Sequence, residues 1–229
     1  MIRVALIWVT ILLSGSVFGQ FLDHFSGSLE SHISYYIDDD KISNRGDKDL
    51  RSNNYLQFNY FKNKFKTSVQ FESYVEEALL GYSPQFDQYF GLSMISLGYE
   101  INKVELTGGY FLGQFGSGLS FRSWEDRQLG LNNAILGGQI GFRPTDKTQL
   151  RLFVGKQKNA FEVSNGTLTG FYADYQINPQ IRVDFNYVGR YESHNSENPD
   201  FSELTNLLSG RLNYDGKGFY SNLEFVYKS

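Results

Sequence analysis

Apolar and polar residues alternate along most of this chain after residue 24. In the last segment, 219–228, one set of alternate positions is apolar except for Ser221, and its members are Phe219, Leu223, Phe225 and Tyr227. Successive side chains of a strand point to opposite faces, so this pattern predicts a β-strand with one apolar and one polar face. Eleven segments of this kind can be recognised, at residues 25–37, 55–61, 65–75, 89–101, 104–112, 134–143, 148–155, 166–177, 181–190, 204–214 and 219–228.

The apolar faces of these segments contain no charged residue. A membrane barrel requires this, because Arg or Lys facing lipid costs roughly 2–4 kcal/mol at the bilayer midplane. A soluble β-sandwich also hides one face of each sheet and tolerates few buried charges. The alternation by itself therefore fits both architectures.

The lengths of the connections distinguish the two architectures. Five connections are short, at residues 62–64, 102–103, 145–147, 178–180 and 215–218. They alternate strictly with five longer ones, at residues 38–54, 76–88, 113–133, 156–165 and 191–203. This order predicts an all-β fold, an up-and-down antiparallel transmembrane β-barrel with short turns at one rim and long loops at the other.

The first nineteen residues have the features of a signal peptide. Arg3 precedes an apolar stretch at residues 4–13, which is too short to span a bilayer, and Val17 and Gly19 suit a cleavage site before Gln20. We therefore expect export and a barrel over residues 20–229, in the outer membrane of a Gram-negative bacterium.

Composition excludes some classes of function. The sequence has no Cys, so disulfides do not stabilise the exported chain. Its formal net charge of −4 argues against a nucleic-acid partner. The hydrophobic content of 41% is compatible with a membrane barrel, whose strands are apolar on one face only.

The number of predicted strands is odd. If the first strand starts in the periplasm, the eleventh ends at the cell surface. Closed single-chain bacterial barrels have an even number of strands. We therefore expect the visible strands to be the N-terminal portion of a longer barrel, with at least one further strand.

Several short segments of the chain are distinctive: FSGSLES (25–31), YYIDDD (35–40), RSNNYL (51–56), QFESY (70–74), QFGSGL (114–119), RSWEDRQLG (122–130) and RPTD (143–146). Together they resemble a family of uncharacterised outer-membrane proteins of Bacteroidota. Members of that family are considerably longer than this chain and have no established activity. The resemblance implies an outer-membrane location and an N-terminal portion of a barrel, and it implies no reaction.

The longest connection, residues 113–133, is the leading candidate for a functional loop, because loops of this length are uncommon unless they are functional. Gly113, Gly116 and Gly118 permit sharp turns, and Leu119 and Phe121 suggest a short hairpin. Its candidate functional residues are Arg122, Trp124, Glu125, Asp126 and Arg127.

Two interpretations of this loop are open. It either folds into the lumen as a constriction or gate, or it is a surface loop held by its own ion pairs. In the first case, its carboxylates could pair with Arg151, Arg182 and Arg211 of the barrel wall.

The polar strand faces carry seven charges of each sign. In the first five strands they are Glu30, Lys66, Glu72, Glu100 and Glu105, and in the other six they are Arg143, Arg151, Asp174, Arg182, Asp184, Arg190, Arg211, Glu224 and Lys228. The residues chosen as candidate lumen wall are Glu72, Glu105, Arg143, Arg151, Arg182, Asp184, Arg190 and Arg211. Rings of one sign set ion selectivity, so balanced walls argue against strong selectivity. Alternatively, the charges pair across a filled interior.

Candidates for catalysis or metal binding are few. Asp38, Asp39 and Asp40 could bind a divalent cation, but a solvated acidic loop is the favoured interpretation of them. Among the three histidines, only His32 lies on the predicted inner face, and no nucleophile–base spacing or cofactor motif is found. We therefore predict a non-enzymatic barrel of structural or passive-transport type, in contact with the lipid bilayer and without cofactor. The alternatives are a scaffold whose loops dock a protein partner in a secretion or uptake assembly, and an outer-membrane hydrolase.

Overall fold

The computed structural model of the protein describes residues 23–36, 49–79, 90–193 and 202–229. The predicted signal peptide, the three consecutive aspartates at 38–40 and His194 lie outside these residues. No helix in the described ranges is long and apolar enough to cross a membrane.

Fifteen strands follow one another in the described residues. They are β1 (Phe25–Tyr35), β2 (Leu50–Lys62), β3 (Phe65–Ser73), β4 (Phe90–Ile101), β5 (Val104–Phe111), β6 (Gly113–Phe115), β7 (Phe121–Ser123), β8 (Glu125–Asp126), β9 (Leu131–Asn132), β10 (Ile135–Thr145), β11 (Thr148–Asn159), β12 (Glu162–Asn178), β13 (Ile181–Tyr191), β14 (Leu204–Gly216) and β15 (Phe219–Lys228).

Eleven of these strands form one sheet in the order β1-β2-β3-β4-β5-β10-β11-β12-β13-β14-β15. All neighbouring strands in the sheet are antiparallel, and each follows its neighbour directly except where the four short strands intervene. The predicted all-β, up-and-down antiparallel architecture with eleven long strands is confirmed. Within the part of the chain that the structure describes, no ladder joins β1 to β15, so the sheet is open.

The two faces of this sheet differ in chemistry as the alternation predicts. The outer face is the one that carries Leu97, Leu152 and Phe185, which are 47–52% exposed. The inner face carries polar side chains, and Gln70 and Asn186 on it are at most 1% exposed. Soluble proteins bury apolar side chains and leave polar ones in water, so this sheet has the opposite arrangement.

One predicted connection is wrong. Residues 156–165 were expected to be a long loop, but β11 continues to Asn159 and β12 begins at Glu162, leaving a turn of Ala160 and Phe161. The ladder extends through the pairs Lys158–Val163 and Asn159–Glu162. Polar residues can continue a hairpin, because ladder hydrogen bonds use the backbone alone. The strict alternation of short and long connections therefore fails here, although the meander order is retained.

Arginine substitutions on the two faces are expected to have different effects. Leu97→Arg and Phe185→Arg place a charge on the outer face and should each lower the free energy of unfolding in lipid vesicles by roughly 2–4 kcal/mol if they lie near the bilayer midplane. Ser96 is the matched control, because it precedes Leu97 on the same strand and is partly buried on the inner face. Urea titration of the vesicle-inserted protein measures the difference. An equal loss for Ser96→Arg and Leu97→Arg would contradict the assignment of the faces.

Candidate functional site: a segment across the inner face

The connection between β5 and β10 folds into two short hairpins, and we call residues 113–133 the inner segment. The first hairpin pairs β6 with β7, near the predicted position, and the second pairs β8 with β9. Gly116 and Gly118 have φ values of 54° and 96°, which L-residues with a side chain rarely adopt. Because these glycines allow a tight tip, the first hairpin reverses direction within a few residues.

Arg127 holds the second hairpin against β1, β2 and β3. Its guanidinium donates to Glu30 Oε2 at 2.7 Å, to Gln57 Oε1 at 2.8 Å and to Gln70 Oε1 at 2.9 Å. It also donates to Glu125 Oε2 within the segment at 3.1 Å. Burial would lower the pKa of Arg127, but its hydrogen bond to Glu30 and the charge of Glu125 raise that pKa above its ordinary value. This side chain therefore stays charged.

The main chain at Arg127 is fixed as well. Its carbonyl oxygen accepts from Tyr55 Oη at 3.0 Å and from Asn53 Nδ2 at 3.1 Å. The Tyr55 ring centroid lies 5.2 Å from Arg127 Cζ, within the range of a cation–π contact. Both Tyr55 and Asn53 are buried, so their polar groups are satisfied by the inner segment.

Aromatic side chains hold the first hairpin. Phe115 stacks on Tyr172 with ring centroids 5.3 Å apart, and Phe121 stacks on Phe153 at 4.5 Å. We call the buried set to which they belong the aromatic cluster; its members are Phe111, Phe115, Phe121, Ile135, Phe153, Tyr172 and Val188. The cluster joins the inner segment to strands β5 and β10 to β13, so this part of the interior is filled by apolar side chains.

The tip of the first hairpin reaches β13 and β15. Ser120 Oγ donates to Asn186 Oδ1 at 2.5 Å, and the Ser117 amide donates to Glu224 Oε2 at 3.2 Å. A Cβ on Gly116 would lie 3.1 Å from Glu224 Oε1 and 3.4 Å from Asp184 Oδ1, so the backbone approaches the wall closely there. Since the segment contacts β1 to β3 at one end and β13 to β15 at the other, it crosses the inner face of the curved sheet.

A buried ion pair spans the same interior near the ends of β3 and β11. Lys158 Nζ lies 3.6 Å from Glu72 Oε2, and both side chains are 1% exposed. Glu72 also accepts hydrogen bonds from Ser93, from Tyr74 Oη at 2.9 Å and from Asn132 Nδ2 at 3.5 Å. Burial, and then the charge of Glu72, raise the pKa of Tyr74, which lies beyond the end of β3. Tyr74 therefore remains a hydrogen-bond donor.

The prediction that Arg151, Arg182 and Arg211 pair with the carboxylates of the inner segment is wrong. Arg211 Nε donates to Asp184 Oδ2 at 2.6 Å, and Arg182 lies 3.6 Å from Asp174. Asp184 and Arg211 are directly opposite on neighbouring strands, so they pair with little loss of side-chain freedom.

The remaining predicted site residues have the following contacts. Asp126 Oδ1 accepts from the Leu129 amide at 3.0 Å, and Arg122 lies over the Trp124 ring at 5.1 Å. Arg151 lies 5.9 Å from the Tyr172 ring centroid, and Arg190 pairs with Glu192. Glu105 and Arg143 line a separate cavity of the inner face, together with Arg151.

Sequence reasoning missed Lys158 and the aromatic cluster. Lys158 fell in a predicted loop, although it lies in the ladder of β11. Phe153 and Tyr172 occupy the polar-face positions of their strands, next to outward-pointing Leu152 and Phe171. Two aromatic residues at inward positions of adjacent strands are a detectable signal, because polar residues are expected there. No group of three metal-ligating side chains occurs within the ranges described by the structure.

The fold has distant similarity to solved porin structures. A BenF-like porin from Pseudomonas fluorescens Pf-5 has 10% identity and a TM-score of 0.44, over 90% of this chain and 68% of that one. OccAB4 from Acinetobacter baumannii has 15% identity and a TM-score of 0.48, over 88% of this chain and 61% of its own. The outer membrane protein opdK from Pseudomonas aeruginosa has 12% identity and a TM-score of 0.46, over 89% of this chain and 60% of its own.

This chain therefore spans less than two thirds of the length of OccAB4 and opdK. None of the curated protein sequences matches it. The model of one protein family, described as a family of unknown function (DUF6029), matches residues 1–229.

Proposed function

The chain belongs to DUF6029, a family of unknown function, and we propose that it is an outer-membrane β-barrel protein of passive-transport type whose lumen is narrowed by the inner segment. The observation that carries this proposal is the inverted sidedness of the sheet. Its outer face exposes Leu97, Leu152 and Phe185, while its inner face buries Gln70 and Asn186.

An exposed apolar face of this size is unfavourable in water and favourable in lipid. Monomeric soluble proteins rarely expose contiguous apolar patches larger than a few hundred Å². Here every long strand contributes exposed apolar side chains to one face. The exposed fraction is highest for Leu29 on β1, at 73%, and Phe225 on β15, at 74%. A bilayer removes this cost, so lipid is the partner that the outer face fits.

The inner segment is the proposed constriction. Arg127 anchors it on one wall, the aromatic cluster holds its middle, and Ser117 and Ser120 contact the opposite wall. The Arg127 side chain is 20% exposed and that of Glu30 is 42% exposed, so the position of this anchor depends on the combined hydrogen bonds of Arg127 to Glu30, Gln57 and Gln70. Together with Trp124, the charged residues of the segment and the wall charges would determine which solutes pass.

Deletion of residues 117–129 tests this function. We expect the barrel to fold in lipid vesicles and its conductance and solute permeability to rise, because the deletion removes the tip and the Arg127 anchor. A variant that replaces the same residues with a Gly/Ser linker of equal length is the control for chain connectivity, and it should also be more permeable.

Planar-bilayer conductance and liposome swelling measure the outcome. Unchanged permeability of a folded deletion variant would contradict the constriction. If the deletion abolished binding of a co-purifying protein instead, the segment would be a docking surface in a larger assembly.

A further inference from the structure

The cavity of the inner face that Glu105, Arg143 and Arg151 line lies beside the turns that join β4 to β5 and β10 to β11. Its volume is about 350 Å³, and neither the inner segment nor the aromatic cluster contributes to its lining. Six charged residues line it, three of each sign: Glu100, Glu105, Asp146, Lys103, Arg143 and Arg151. The lining is therefore neutral in sum and strongly polar.

The register of the sheet orders Glu100, Glu105 and Arg151 across the cavity. Glu100 lies directly opposite Glu105, Glu105 opposite Gly141, and Gly141 opposite Arg151. Neighbouring strands are about 4.8 Å apart, so the backbones of Glu105 and Arg151 are roughly 10 Å apart. The two glutamates therefore lie on one side of Gly141 and Arg151 lies on the other. Lys103 and Asp146 lie in the two turns, where the Lys103 ammonium group donates to the Pro144 carbonyl oxygen.

Gly141 keeps the space between the two sides open. A Cβ at this position would be 3.7 Å from Glu105 Cβ, which is ordinary van der Waals contact. Glu105 Oε2 would lie 4.0 Å from the same Cβ, so the Glu105 side chain leans over Gly141 and a larger side chain at this position would occupy the space between Glu105 and Arg151. On the opposite wall no glycine intervenes between Asp184 and Arg211, and their side chains meet at 2.6 Å.

The charges beside this gap are incompletely neutralised. Glu100 lies 3.6 Å from Lys66, and both side chains are about half exposed. Arg151 has the Gln149 amide oxygen as a neighbour at 3.0 Å in the amide orientation that satisfies both groups. Among the described residues, no ion pair or side-chain hydrogen bond engages the Glu105 carboxylate or the Arg143 guanidinium. Two carboxylates directly opposite each other repel, so a cation between them would be favourable.

We propose that this cavity binds a small zwitterion, an amino acid or short peptide, with its ammonium group at Glu100 and Glu105 and its carboxylate at Arg143 and Arg151. Guanidinium groups bind carboxylates through paired hydrogen bonds, and an ammonium group can donate to both glutamates. A lining with equal numbers of opposite charges favours a zwitterion over an anion or a cation of the same size. The inference deepens the proposed function, since it names a class of solute, but binding does not require an open lumen.

Equilibrium binding of alanyl-alanine to the detergent-folded full chain tests the proposal. N-acetyl-alanyl-alanine, which lacks the ammonium group, and alanyl-alanine amide, which lacks the carboxylate, are the matched probes. Glu105→Gln and Arg151→Gln should each weaken dipeptide binding by about tenfold or more, as expected for loss of a charged hydrogen-bond partner. Glu162→Gln and Lys156→Gln, exposed at the opposite rim, are the control variants and should bind like the unaltered chain.

The two modified probes identify the contact that each residue makes. Glu105→Gln should not weaken binding of the acetylated peptide, and Arg151→Gln should not weaken binding of the amide. Gly141→Leu, which fills the gap without changing charge, should weaken binding of all three. Equal affinity for the three peptides, or no binding of alanyl-alanine by the folded protein, would overturn the proposal.

This experiment separates the two proposals. Dipeptide binding by a protein whose conductance does not respond to deletion of residues 117–129 would leave the zwitterion site in place and refute the constriction. If the protein conducts, responds to the deletion and does not bind the dipeptide, the constriction stands and the zwitterion site is refuted.

Discussion

Replacement of Lys158 by methionine is expected to lower the free energy of unfolding by about 3–5 kcal/mol, because it leaves the Glu72 carboxylate buried without its charge partner. Both side chains are 1% exposed and their charged atoms are 3.6 Å apart. The hydroxyl groups of Ser93 and Tyr74 still donate to Glu72 in this variant, but neither neutralises its charge. The loss should therefore exceed that of any single surface charge.

Three variants make this result specific. Lys156→Met changes an exposed lysine two residues away on the same strand and should alter the free energy of unfolding by no more than about 0.5 kcal/mol. In the double variant Glu72→Gln/Lys158→Met, the buried charge is removed as well, so much of the lost stability should return. Urea titration in lipid vesicles compares them. Similar losses for Lys156→Met and Lys158→Met would show that the pair is not the buried bridge described above.

Replacement of Phe115 by alanine is expected to lower the free energy of unfolding by up to about 3–5 kcal/mol and to increase conductance. Phe115 is 2% exposed and its ring lies 5.0–5.5 Å from those of Phe121, Tyr172 and Phe153. Removing the ring leaves a cavity where the first hairpin of the inner segment is attached to the wall. The hairpin should then leave this position more often, which widens the path past it.

Leu119 is the control for this substitution. It lies in the same hairpin connection but is 69% exposed, so Leu119→Ala should change the free energy of unfolding by less than about 0.5 kcal/mol and leave conductance unchanged. Unfolding titrations and single-channel recordings on the same preparations measure both properties. A destabilised Phe115→Ala protein with unaltered conductance would restrict the aromatic cluster to a structural role.

The sequence predicted the location of the strands more accurately than the residues at which they end. Alternation of apolar and polar residues located all eleven long strands, because one face of each contacts a different medium from the other. The same criterion placed the end of the seventh predicted strand at residue 155, while β11 continues to Asn159. Residues 156–159 are all polar, so the backbone pairing continues there without alternation of apolar and polar residues in the sequence.

The inner segment shows a second limit of the sequence. Its length, its glycines and its charges identified it as distinctive, but they left open whether it lies at the surface or inside. Arg127 could have paired with Glu125 in either case. Its contacts with Glu30, Gln57 and Gln70 depend on the curvature of the sheet, which brings β1 to β3 within reach.

The sequence by itself determined which face of each strand is apolar, because side chains alternate between the faces every two residues. It also indicated the meander order, through the lengths of the connections. Only the tertiary structure decided which inner residues meet. Lys158 and Glu72 are 86 positions apart and lie on strands separated by three others, yet they form one buried ion pair. Such contacts depend on the register and curvature of the whole sheet, which no short stretch of sequence contains.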